Sequence, residues 1–189
     1  MVSSLLAYLG GDENPETPTR VDLAVKCATI ADDATDHGAN VSYVGPDHLE
    51  VVIRRSAVKR AITNLVDNGL HHGSSVVLTL QDDGNAIRLY VDDDGPGIPP
   101  DKLADVLKPF VRLDAARKRD TVGFGLGLSI VLRAVEAEGG TLTLSNRPEG
   151  GLRAEICLPM AQAAIRAQPA SSKRLADRPA GPDRVTARQ

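Results

Sequence analysis

Residues 56–72 constrain this chain more than any other stretch. Val58, Ala61, Ile62, Leu65, Val66 and Gly69 recur there at the three- and four-residue spacing of a helix that buries one face, with Ser56 placed to cap its start and Gly73 just past its end. The pattern then switches to strands. Val76 to Leu80, a turn at Asp82-Asp83-Gly84-Asn85, and Ile87 to Val91 read as a hairpin. A one-faced helix running straight into a hairpin calls for a layer of helix laid on a layer of sheet.

The flanking sequence supports that layering. Residues 21–37 have helical periodicity through Leu23, Ala24, Cys27, Ile30 and Ala31, with Asp22 near the start and Gly38 at the end. Residues 41–44 and 49–53 are short strand-like runs separated by Gly45-Pro46-Asp47. After the hairpin come an acidic, glycine-rich loop over residues 92–99 and a short helix over 100–107. A basic segment follows over 108–121, carrying Lys108, Arg112, Arg117, Lys118 and Arg119. Gly123-Phe124-Gly125-Leu126-Gly127-Leu128-Ser129 leads directly into a helical run that stops at Gly139-Gly140. Residues 141–145 and 152–158 then alternate as a closing hairpin joined through Pro148-Glu149-Gly150-Gly151.

Three of these stretches carry chemistry. Asn64 and Asn68 stand four residues apart on one helical face, with Cβ atoms about 5–6 Å apart. Their side-chain carbonyls can converge on a hard cation such as Mg²⁺, which takes oxygen donors and completes its shell with water and substrate phosphates; the same spacing also suits a solvated helix face. In the acidic loop, Gly95 and Gly97 permit tight turns and let a flat ligand approach the main chain, while Asp93 at the strand end can accept a hydrogen bond from an amino group. A glycine-rich entry into a helix leaves unpaired N–H groups and the positive end of the dipole facing an anion. The glycines at 123, 125 and 127 alternate and follow a long basic loop, unlike the strand-coupled spacing of a Rossmann fingerprint.

Composition bounds the rest. A chain of 189 residues suits one domain with tails. At 3% aromatic with no Trp, its core is aliphatic. Cys27 and Cys157 lack metal-ligand spacing and read as reduced, buried small hydrophobes, which suits a cytoplasmic location. No run reaches the length of a membrane span. The net charge is -3, and residues 160–189 hold six basic against two acidic side chains, leaving the folded part acidic and a poor partner for nucleic acid. The expected division is residues 1–20 as the end of an upstream dimerising helix plus linker, 21–159 as the domain, and 160–189 as an unstructured tail.

Taken together, the motifs resemble the catalytic and ATP-binding domain of sensor histidine kinases, within the superfamily that also holds gyrase-type, Hsp90-type and MutL-type ATPases. Asn64-Leu65-Val66-Asp67-Asn68 resembles the N box, and Asp93-Asp94-Gly95-Pro96-Gly97-Ile98 the first glycine box. Lys108-Pro109-Phe110-Val111-Arg112 resembles the F box, and residues 123–129 the second glycine box. The resemblance covers roughly residues 20–159. It implies a two-layer α/β sandwich in which a mixed sheet of about five strands carries three main helices on one face, the Bergerat arrangement, with the other face solvated.

It further implies ATP and Mg²⁺ as ligands. Asn68 and Asn64 would hold the metal, and Asp93 would accept from the adenine amino group. Gly95 and Gly97 would shape the base pocket, with Ile98, Phe110, Leu126, Leu128 and His72 around the nucleotide. Gly123, Gly125 and Gly127 would let a lid over residues 108–121 fold onto the triphosphate, with Arg112 reaching the phosphates. Departures from the family pattern are Gly69 for the usual Ala, His71 for a Lys or Arg, which would make one phosphate contact pH-dependent, and Phe124 for a small Thr or Ser. The chain lacks a phosphoacceptor His in the right setting. The implied partners are therefore a histidine-bearing dimerisation domain and, downstream, a response regulator, with any sensing or membrane part carried elsewhere. An ATP hydrolase of the same superfamily would place a Glu where Asn64 stands; an anti-sigma-like nucleotide-binding module is the remaining alternative.

Overall fold

The computed structural model describes residues 16–111 and 125–159. In chain order the elements are β1 (Thr19–Asp22), α1 (Leu23–Asp36), β2 (Asn40–Val44), β3 (Glu50–Ile53), α2 (Arg55–His72), β4 (Ser75–Asp82), β5 (Ala86–Asp93), α3 (Gly127–Ala137), β6 (Thr141–Asn146) and β7 (Leu152–Pro159). Two short 3₁₀ turns, Pro100–Lys102 and Asp105–Leu107, precede α3. Five strands form a mixed sheet in the order β2-β4-β5-β7-β6, with β2 and β4 parallel and the other neighbours antiparallel. The expected two-layer α/β sandwich is present.

Strand alternation decides which face the helices cover. Val76, Leu78 and Leu80 of β4, Ile87, Leu89 and Val91 of β5, and Ala154, Ile156 and Leu158 of β7 are buried in one core with Cys27 of α1, Ile62 and Leu65 of α2, and Val131 of α3. Burial in that core pushes the Cys27 thiol up to about 12, as suits an inert packing residue. The intervening residues face outward and are mostly polar, Val77 and the half-buried Cys157, which the sequence reads as buried, excepted: Arg88 pairs with Asp83 at 3.1 Å and also with Glu155, and the Arg153 guanidinium sits 4.9 Å from the Tyr90 ring centre.

Several sequence expectations need correction in detail. Residues 19–22, placed by periodicity in the linker and first helix, form β1, which pairs antiparallel with β3 as a separate two-stranded ribbon, so β3 is not a strand of the main sheet. β1 therefore straddles the boundary expected at residue 20. The helix capped by Asp22 begins at Leu23, the Asp22 Oδ1 accepting from Val25 N at 3.1 Å. Ser56 is not the cap of α2. That helix starts one residue earlier, behind Arg54, and its first amides are met by Glu16, whose carboxylate accepts from Ser56 N at 3.0 Å and Ala57 N at 3.3 Å. The short helix expected over 100–107 is the pair of 3₁₀ turns, and Asp92 and Asp93 belong to β5, not to the loop after it. Residues 1–15 and 160–189, where an upstream helix end and an unstructured tail are expected, lie outside the described residues. No helix of the described residues is long and apolar enough to cross a membrane.

The junction of β1 and α1 carries a pH-dependent contact. The exposed His48 places Nδ1 at 2.7 Å from Asp22 Oδ2, and this hydrogen bond, with the Asp22 charge behind it, holds the imidazole above its ordinary range. Stability from the pair is fully present below the unfolded pKa of about 6.5 and is lost as pH rises through the folded value. The melting temperature of the unaltered chain should therefore fall, relative to His48→Gln, as pH rises above about 6.5 and through the raised folded value. Parallel curves across that interval would refute the coupling.

Candidate functional site

Among the described residues, Asn64, Asn68, Gly69, His71, His72 and the Asp93-Asp94-Gly95 stretch gather around the C-terminal half of α2. Its apolar stripe is spent on the sheet, which turns Asn64 and Asn68 to a half-buried flank. The Asn64 amide nitrogen is the buried side-chain polar atom left without a hydrogen-bond partner among the described residues. A buried amide donor with no partner costs about 1–3 kcal/mol, so this atom is set up for an acceptor from outside the chain. His71 and His72 end the helix in exposed positions, their rings edge-to-face at 4.8 Å.

Three successive aspartates meet this helix end, and the structure gives each a different task. Asp92, on the outward face, takes both nitrogens of Arg153, at 2.7 and 2.6 Å. Asp94 reaches back across the α2–β4 turn: Oδ1 accepts from Ser74 N at 2.6 Å and Ser75 N at 2.9 Å, and Oδ2 from the Ser75 hydroxyl at 2.9 Å. These bonds hold the Asp94 carboxyl below its ordinary range and tie the loop to the end of α2. Asp93 is buried at 7% exposure; its Oδ1 accepts from Gly95 N at 2.8 Å and Leu152 N at 3.1 Å. Its Oδ2 receives no hydrogen bond from the described residues. A carboxylate fixed through one oxygen, with the other uncommitted beside a helix end, is a ready acceptor for an amino group.

Gly69 brings the helix onto that carboxylate. A Cβ there would stand 2.7 Å from Val76 Cγ2 and 3.3 Å from Asp93 Cβ, which accounts for Gly in place of the usual Ala. Gly69→Ala sets about 1 kcal/mol of helix propensity against about 1–3 kcal/mol of overpacking, a net loss. In a Val76→Ala background the 2.7 Å contact is gone and only the milder 3.3 Å approach to Asp93 Cβ remains, so the double variant should melt above Val76→Ala alone. If Gly69→Ala lowers the melting temperature equally in both backgrounds, the contact is not the cause.

The loop after Asp93 is supported from below. Gly95 lies against the His72 carbonyl, 3.0 Å from where its Cβ would stand, and Gly97 adopts φ +73. Ile98 is buried with Val106 and Leu152, with Leu128 of α3 packed on the same small cluster. Of the expected site residues, Asp93 is thus bonded to Gly95 and Ile98 packs with Leu128, while Gly69 lies beside Asp93 and His72 beside Gly95. Leu126 is buried at the start of α3, its carbonyl accepting from the Ser129 hydroxyl at 2.9 Å. Gly127, the first residue of α3, has open space where a Cβ would be, and among the described residues no side chain caps that helix start. Phe110 is 59% exposed with φ +65, and its N–H donates to the Gly125 carbonyl at 2.9 Å. Arg112, Gly123 and Phe124, and with them most of the expected lid, lie outside the described residues.

Sequence reading missed the β6–β7 turn. Asn146, Arg147 and Gly151 all touch the Asp93 loop, and the only hint in the sequence was the glycine pair that closes a hairpin.

Helices on one face of a mixed sheet, a paired-Asn helix, a buried carboxylate at a strand end and a glycine-rich helix start define a histidine-kinase-type ATP-binding catalytic domain. Residues 53–162 match the family described as "Histidine kinase-, DNA gyrase B-, and HSP90-like ATPase", and the chain belongs to it. The sensor histidine kinase GtrS of Pseudomonas aeruginosa is 40% identical over 125 residues, 62% of this chain and 26% of that protein. The sensor protein RstB of Escherichia coli is 42% identical over 104 residues, 54% of this chain and 24% of that one. Among solved structures, the histidine kinase domain of the E. coli osmosensor EnvZ aligns with a TM-score of 0.61 at 30% identity, covering 86% of this chain and 99% of that domain. The chain spans about a quarter of the length of these curated relatives.

Proposed function

We propose that this domain binds ATP with Mg²⁺ and passes the γ-phosphate to a histidine on a separate dimerising domain, from which a response regulator would take it. The observation that carries the nucleotide reading is Asp93: a buried carboxylate with one oxygen pinned by two backbone amides and the other uncommitted. It matches the exocyclic amino group of adenine, where guanine would present a repelling carbonyl.

The residues present fit a hydrated Mg²⁺ on a nucleotide. The partnerless Asn64 Nδ2 can donate to a phosphate oxygen or to a water of the hydrated cation, and the side-chain oxygens of Asn64 and of Asn68 one turn on would be the neutral oxygen ligands offered to the metal. Among the described residues no group of three or more His, Cys, Asp or Glu is placed to hold a metal alone. Bound there, the cation would offset negative charge on the phosphates. The uncapped start of α3 at Gly127 presents main-chain N–H groups suited to the same anion. Asn64 is an amide and cannot take a proton from water, which favours transfer to an acceptor over hydrolysis.

Titration with a fluorescent ATP analogue, with Mg²⁺ and then with chelator, tests the first half: affinity should drop sharply on chelation. Mixing the chain with γ-labelled ATP and a panel of isolated dimerising histidine domains tests the second. Free phosphate release with no labelled histidine would favour the hydrolase reading.

A further inference from the structure

We infer that the β6–β7 turn, residues 146–152, is a positioning element for base recognition, with Asn146 and Arg147 setting the direction of the Asp93 acceptor; this rests on the ATP reading above. The turn holds the Asp93 loop at both ends. At the far end, the Asn146 carboxamide pairs with the Ile98 peptide in both directions, Oδ1 accepting from Ile98 N at 2.8 Å and Nδ2 donating to Ile98 O at 2.7 Å. A Cβ on Gly97 would stand 2.5 Å from that same Oδ1, so the glycine lets the amide close on the loop. At the near end, an Arg147 guanidinium nitrogen donates to the Asp93 carbonyl at 2.8 Å, while Leu152 N donates to the Asp93 carboxylate. Arg147 is aimed by Glu149, whose carboxylate accepts from two of its nitrogens at 3.1 and 2.6 Å.

The physical consequence is angular. Asp93 is fixed at its carbonyl and at Oδ1 by this turn, and the only other bond to its carboxylate comes from Gly95, inside a loop whose end Asn146 holds. The direction of Oδ2 is therefore set in large part by the β6–β7 turn, which bonds Asp93 through Arg147 and Leu152. A hydrogen bond weakens steeply as its angle closes, and a site built to pair with one donor discriminates against an analogue that presents an acceptor only while that alignment holds.

Dissociation constants for ATP and GTP, measured by calorimetry on the full chain, test this. Asn146→Ala should raise the ATP constant at least fivefold and shrink the preference for ATP over GTP at least threefold. Arg147→Ala should act in the same direction, and Arg147→Lys, which can still donate to the Asp93 carbonyl, should restore most of the preference. Asp22→Ala, which uncaps α1 on another element, controls for loss of stability and should leave the preference intact. The inference is overturned if Asn146→Ala and Arg147→Ala leave both constants unchanged, or weaken ATP and GTP by the same factor. Failure of the unaltered chain to bind ATP, or to prefer it over GTP, would instead remove the nucleotide reading itself.

Discussion

Asp93→Asn should lower ATP affinity roughly ten- to hundredfold, about 1.5–3 kcal/mol, while leaving the fold in place. The asymmetry comes from the two oxygens. An asparagine keeps a carbonyl oxygen to accept from Gly95 N and Leu152 N, so the bonds that close the loop survive. It replaces the uncommitted Oδ2 with an amide nitrogen that donates, so that a donor faces the adenine amino group, itself a donor. Preference over GTP should narrow as well, because the amide can donate to the guanine carbonyl. Calorimetric titration of both nucleotides reads this directly. An unchanged ATP constant would remove Asp93 from base recognition, and a lost unfolding transition would show that its role is structural.

Gly151→Ala should be the most damaging single methyl in the described part of the chain, lowering stability by about 2–4 kcal/mol. The residue has φ +94, and a Cβ there would fall 1.9 Å from the Asp93 carbonyl oxygen and 2.7 Å from its carbon. Both obstacles are backbone, so no rotamer change relieves them. Gly150 provides the control: its φ is +98, but a Cβ would meet nothing within 4 Å, leaving only the left-handed penalty of about 1 kcal/mol. Thermal melts of the two alanine variants should therefore separate by well over the error of the method, and equal melts would mean that the hairpin can shift away from Asp93.

What could be read from the sequence was whatever repeats locally. The helical stripe of α2 and the alternation of β4, β5 and β7 each encode their own buried face, and these suffice for a helix layer on a sheet; the parallel β2–β4 pair that makes the sheet mixed has no such local mark. The ordered motifs located Asp93, Gly95, Gly97 and the asparagines. What was not legible is of longer range. Thr19–Asp22 is too short to show a period, and its residues blend into the helical stripe of α1, so β1 and its pairing with β3 went unseen. Ser56 looked like a cap because the true one, Glu16, lies forty residues away. Asn146 and Arg147 meet Ile98 and Asp93 across separations of 48 and 54 residues, and polar residues at a hairpin end carry no mark of such partners.

The run Asp92-Asp93-Asp94 is chemically monotonous, yet it behaves like the wards of a key. Side chains alternate across β5, so Asp92 turns to Arg153 on the open face, Asp93 turns inward, and Asp94 has already left the strand for Ser74 and Ser75. Replacing one of the three removes one set of bonds. Deleting one leaves two carboxylates for three positions and also moves the strand before the run or the loop after it by a place, inverting the face of the side chains that shift, so that contacts beyond the aspartates are lost as well. Within this stretch, length is therefore held more strictly than composition, and a chain could lose an aspartate to substitution with less harm than it could lose the residue altogether.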